Sequence, residues 1–205
     1  EVLPNLILLP ASGAQAICWQ ELSGRSKDTR ARIVIPTLLQ GDLKEVLMDA
    51  MAKFRWNLGR TIAGYNWANP AEGGLTGAFF DYVSFYKKNN ELTDEEKEKC
   101  KEKFDKSPDI GGKFAADYTD WMIFEKEGVQ KLNNISRGIF FKFVPFAKRA
   151  REALSKFPAF EKHLYKDGNL RVKKIQELET RIKAFETDGV EVPQEFRDAI
   201  EFQKK

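Results

Sequence analysis

The sequence predicts an all-α fold: an irregular helical bundle of about six to eight helices behind a largely non-helical N-terminal arm. Three observations predict it. Residues 42–67 are apolar at spacings of three and four on two faces. Helix start and stop residues recur after them, Thr93, Pro145 and Pro193 among these. Pro4, Pro10, Gly13, Gly24 and Pro36 crowd instead into the first 41 residues, where they oppose helix.

In the arm, residues 6–9 and the following Ala14-Gln15-Ala16 lack the basic region and the long apolar run of a leader peptide. They read as an extended segment packed on the domain. Residues 14–22 predict a short helix carrying Trp19. Residues 32–36 predict a short strand, because Ile33, Val34 and Ile35 are β-branched and sit directly before Pro36. Between these lies a basic loop, with Arg25, Lys27, Arg30 and Arg32 against the single acid Asp28.

Residues 42–67 form the central helix. Leu43, Leu47, Ala50, Met51, Phe54, Leu58, Ile62 and Tyr65 make one face, and Ala52, Trp56, Gly59 and Ala63 fall nearly opposite. A helix apolar on two sides is a core element. Phe54, Trp56, Leu58 and Ile62 are therefore expected to be inaccessible. Asp42 is the expected N-cap with Glu45 at the capping-box position, and Gly64, Asn66, Asn69 and Pro70 supply the stop.

Further helices follow in order. Phe79, Tyr82, Val83 and Tyr86 share a face, closed by Lys87 and Lys88 at the negative end of the helix dipole. Thr93 and Glu96 form a capping box ahead of alternating Glu and Lys, the pattern of a solvated helix. Gly111-Gly112 reads as a hinge-like loop. Phe114, Tyr118, Trp121, Met122 and Glu125 belong to the next helix, which Gly128 closes. Residues 129–155 read as a helix broken near Phe143 by Pro145. Ile175, Leu178, Ile182 and Phe185 give a short coiled-coil-like seam. Gly189 ends it and Pro193 opens a last helix at its first position. The expected organisation is an arm over residues 1–41, a helical core domain over 42–160, and a helical tail over 161–205 that packs on the core or on a partner.

Composition removes several function classes. The single histidine, His163, excludes any site built on two histidines of this chain. Cys18 and Cys100 have no metal-ligand spacing and are expected to be reduced, which suits a cytoplasmic protein. No stretch approaches the roughly 18 apolar residues of a membrane span. The 16 Phe against 5 Tyr and 4 Trp favour packing over recognition, since Phe has no polar handle. Asp117 and Asp120 lie on one helix side but lack the Glu-x-x-His partners of a di-iron site. Gly73-Gly74 and Gly111-Gly112 match no phosphate loop. No cofactor or metal is expected, and the balance of chemistry leans away from an enzyme. The chain starts at Glu1, which reads as part of a larger protein.

Two clusters remain for partner contacts. One is Arg25, Lys27, Arg30 and Arg32. The other runs from Arg137 to Lys156, with Lys148, Arg149 and Arg151 at its centre and Phe140, Phe141, Phe143 and Phe146 interleaved. Such a pattern suits phosphates and stacked bases, although lysines and arginines also simply cover helix surfaces. Arg55 and Arg60 lie in the central helix, where a structural ion pair or stacking on Trp competes with binding a ligand. The expected function is a non-enzymatic interaction or regulatory module that binds another protein or the rest of its parent chain. The alternative is a nucleic-acid or anionic-ligand domain using the two basic clusters.

Overall fold

The structure, a computed structural model, describes residues 4–19 and 31–204. Contacts divide the chain into two units, Glu1–Phe143 and Val144–Lys205. Among the described residues there are eight α-helices and one three-stranded sheet, so the bundle with a non-helical arm is the observed fold.

The first unit begins with β1 (Asn5–Gly13), β2 (Ile17–Trp19) and β3 (Arg32–Leu39), in the order β1-β3-β2. β1 runs parallel to β3, and β2 antiparallel to it. Trp19 thus ends a strand, not the expected short helix. Pairing of Ile17, Cys18 and Trp19 with Val34, Ile33 and Arg32 is non-local, and it overrides the helix-forming residues on either side.

Helix α1 (Leu43–Ala63) follows, and the Asp42 carboxylate accepts the Glu45 N–H at 3.0 Å as its cap. One side of α1 covers β2 and β3. Ala50, Val46, Leu47 and Met51 pack there with Ala16, Cys18, Ile33 and Ile35. The other side meets α2 (Gly74–Phe85) and α4 (Ile110–Ile123) through Ala52 and Trp56, which are buried. The two-sided packing therefore exists, but only over the middle of α1. Leu58 is half-buried, and Ile62 is 78% exposed, against expectation. The reason is direction. Trp56 lies at Gly111 in the first turn of α4, while Val46 and Asp49 border Ala116 and Asp120 further along it. α4 thus runs opposite to α1 and leaves the last turn of α1 uncovered.

Helix α3 (Asp94–Asp105) carries the complete Thr93–Glu96 capping box. α4 begins one turn earlier than its sequence implied. Asp109 caps it by accepting the Gly112 N–H, so Gly111-Gly112 lies inside the helix and not in a hinge. A side chain at Gly111 would meet the Trp56 ring at 3.0 Å. The glycine lets the two helices approach. α5 (Asn134–Phe143) ends ahead of Pro145, as its sequence requires. Trp56, Phe79, Phe114 and Phe140 form the centre, joined edge-on by Tyr82 and Tyr118.

The second unit holds α6 (Lys148–Leu154), α7 (Pro158–Thr187) and α8 (Gln194–Lys204). α8 folds back along α7, with Phe185 edge-on to Phe196 and Arg171 donating to the Gln203 carbonyl at 2.9 Å. The seam residues Ile175, Leu178, Ile182 and Phe185 are half-buried on α7.

Candidate functional site

Among the described residues the sheet is covered on one side only, and only in part. Register places Leu6 and Leu8 on the face of Ile33 and Ile35. Yet Ile33 is fully buried while Leu6 and Leu8 are 60% and 68% exposed, because α1 lies beneath β2 and β3 and does not reach β1. The opposite face carries Ile7, Leu9, Val34, Ile17 and Trp19, with Arg32 exposed beside Trp19. Ile17 and Trp19 are 63% and 64% exposed. Among the described residues no strand pairs with the outer edge of β1. That strand, NLILLPASG, contains no charge, and Pro10 is its only irregular residue type. Natural edge strands are usually blunted by lysine, inward charges or cover. Among the described residues β1 has none of these along Leu6–Leu9, and only Pro10 and a register shift between Leu9 and Ser12 interrupt its far end.

The interior of the first unit holds two polar clusters. In one, Lys103 bridges the carboxylates of Asp117 and Asp120, three residues apart on α4, and the Ser136 hydroxyl donates to Asp117 at 2.6 Å. Burial pulls the Lys103 amine down, but the two carboxylates outweigh it and hold the group protonated. Burial pushes Asp117 upward. Beside it Asn133 donates to the Tyr82 hydroxyl at 2.7 Å and to the Cys100 sulfur at 3.2 Å. Tyr82, Cys100, Lys103, Asp117 and Asn133 line a cavity of about 220 Å³. Burial raises both the Cys100 thiol and the Tyr82 phenol, so Cys100 is held as a thiol. A nucleophile needs the opposite shift. Every polar side chain named here is bonded to another, which is how a cluster that holds four helices, α2 to α5, together behaves.

In the second cluster Glu125 and Arg137 form an ion pair with both side chains at most 3% exposed. Glu125 also accepts the Lys131 and Leu132 amides, and Arg137 donates to the Leu132 carbonyl.

Residues 64–202 match the family described as domain of unknown function DUF8509. The match takes in more than half of the chain. The chain belongs to this family. Comparison with curated proteins and with solved structures gives no match. The DUF8509 span contains both polar clusters and the helices from α2 to α7 with most of α8, and the sheet and α1 lie ahead of it.

Of the residues singled out by sequence, Arg25, Lys27 and Arg30 lie outside the described residues. Arg32 is on the open sheet face. Lys148 and Arg149 are exposed on α6 in the second unit. Arg151 is partly withdrawn, donating to the Phe146 carbonyl at 2.6 Å and lying 3.7 Å from Asp167. Arg137 is spent inside its ion pair. Arg55 donates to the Phe143 carbonyl at 2.9 Å and to the Tyr118 hydroxyl, not to a carboxylate. Arg60 stacks over Trp67 at 4.4 Å. Sequence reasoning missed the β1 edge; the uncharged run Leu6–Leu9 was its only signal. No helix among the described residues is long and apolar enough to cross a membrane. Among them no group of three or more His, Cys, Asp or Glu is placed to hold a metal.

Proposed function

We propose that the chain is a non-enzymatic interaction module that binds another protein by accepting an extended, uncharged strand of it along the outer edge of β1. The observation that carries this reading is the open edge itself. Unpaired backbone donors and acceptors run beside Leu6, Ile7, Leu8 and Leu9, which are all exposed among the described residues. Strand addition uses the same parts: main-chain hydrogen bonds for affinity, and alternate side chains for specificity. An added strand would meet Leu6 and Leu8 on one face and Ile7 and Leu9 on the other. The absence of charge on β1 favours an apolar, uncharged partner segment over an acidic or basic one. Both cysteines are free, which suits the reducing cytoplasm and a regulatory role there.

The test uses a displayed library of random nine-residue peptides, selected on the wild type and on the double variant Ile7→Lys/Leu8→Lys. The reading expects uncharged, β-branched peptides enriched on the wild type and bound at least tenfold more weakly by the variant. Enrichment of acidic peptides, or equal binding to both proteins, would overturn it. A homodimer that dissociates in the double variant would replace the foreign partner by a second copy.

A further inference from the structure

The first unit has a cleft of about 520 Å³ that the proposed strand site does not use. Its walls come from β2, α1, the first turn of α4 and Trp67. Cys18, Lys53, Trp56, Asn57, Arg60 and Gly111 are among the lining residues. We infer that this cleft binds the oxyanion of a small molecule, a phosphate or carboxylate, between Arg60, the Trp56 indole N–H and the N-terminal turn of α4.

Four observations point there together. Trp56 is only 5% exposed, and its Nε1–Cδ1 edge is the part that faces Gly111. Its N–H finds no oxygen, nitrogen or sulfur acceptor among the described residues. A buried donor left without an acceptor is costly, and a ligand oxygen would remove that cost. The amides of Ile110 and Gly111 open the 14-residue helix α4 and lack partners within it, where the helix dipole favours negative charge. Gly111 carries no side chain to screen them. Arg60 lies exposed over the Trp67 ring and, among the described residues, makes no salt bridge. Lys53 reaches the same cleft, held only by an exposed pair with Asp49 at 2.7 Å, and such pairs are weak. Asp109 is the opposing charge. Its carboxylate is engaged by the Gly112 N–H as the α4 cap, so it lowers the positive potential of the cleft without filling the Trp56 position.

The indole N–H is the reporter. The protein has four tryptophans, hence four indole cross-peaks in a nitrogen–proton correlation spectrum, and Trp56→Phe assigns the relevant one. Inorganic phosphate and acetate are titrated separately, with chloride matching the ionic strength. The inference expects a saturable shift of the Trp56 peak with at least one probe and none with chloride. The tighter probe distinguishes phosphate from carboxylate chemistry. Arg60→Gln should raise the midpoint at least fivefold while the other indole peaks stay in place. Asp109→Asn, which keeps an acceptor at the cap, should lower it. A Trp56 peak that moves with neither probe, moves without saturating, or titrates unchanged in Arg60→Gln would overturn the site.

Discussion

Replacing Glu125 by glutamine should cost the first unit about 3 kcal/mol, the low end of the roughly 3–5 kcal/mol for breaking a buried ion pair. The figure follows from the four N–H groups the carboxylate accepts: Lys131 N at 2.6 Å, Leu132 N at 2.7 Å, Arg137 Nε at 2.7 Å and Arg137 Nη2 at 3.1 Å. Glutamine keeps one acceptor oxygen. If that oxygen serves the two backbone amides, the amide nitrogen faces Arg137 Nε, donor against donor. Arg137 then stays charged and buried with its carboxylate gone, although it retains the Leu132 carbonyl and Asn134. The similar shape of glutamine adds no cavity, which keeps the cost at the low end. Urea unfolding followed by tryptophan fluorescence reads this directly, because Trp19, Trp56, Trp67 and Trp121 all lie in the first unit. The double variant Glu125→Gln/Arg137→Met should cost at least ~1 kcal/mol less than the two single losses added together, since the uncompensated charge is then gone. A loss under about 1 kcal/mol for Glu125→Gln, or full additivity, would refute the ion-pair reasoning.

Trp56→Ala should cost roughly 3–5 kcal/mol in the same assay, as for a large aromatic removed from a core, and a loss under about 1 kcal/mol would contradict the two-sided packing of α1. A Cβ on Gly77 would lie 2.0 Å from the Asn69 carbonyl oxygen, so Gly77→Ala should destabilise even though alanine gains about 1 kcal/mol of helix propensity; a stabilised variant would mean that the Asn69 turn yields freely. Stability should fall as pH rises above about 8.5, because the unfolded chain releases the Cys100 and Tyr82 protons near ~8.5 and ~10 while burial keeps them bound in the native state. Urea midpoints at pH 8 and pH 10 check this, and Cys100→Ala should flatten the first part of the decline; a midpoint that rises with pH would reverse the assigned direction.

What the sequence made legible was local. The Asp42 and Thr93 caps, the break at Pro145 and the return at Gly189 each depend on residues within one turn of each other, and each stands in the structure. The strand over residues 32–36 was legible and stands as part of β3, but the pairing of the sheet was not, because β1 finds its partner 27 residues away, at Asn5↔Arg32. Residues 14–22 contain alanine, glutamine and glutamate, so local propensity pointed to helix, while pairing made Ile17–Trp19 a strand; residues 20–22 lie outside the described residues. Ile62 shows the same limit on burial. Its spacing is right for the apolar face, but the direction of α4 leaves it exposed. Asp117 and Asp120 were visible as two carboxylates on one helix side, whereas Lys103, which they share, lies on another helix and carries no sign of it. Trp56 was legible as core, but its unpaired N–H depends on the approach of Gly111, which no spacing reveals.

The central claim, that the edge of β1 is a docking surface for an apolar strand, meets its most direct test in one titration. The best enriched uncharged peptide is measured against wild type and Ile7→Lys/Leu8→Lys at 50 and 200 mM salt, about the range over which a protein making 6–10 phosphate contacts loses about a thousandfold or more in affinity. The account predicts a wild-type affinity that changes less than about twofold with salt and a variant at least tenfold weaker. Binding that collapses with salt, or that survives both lysines, would contradict it.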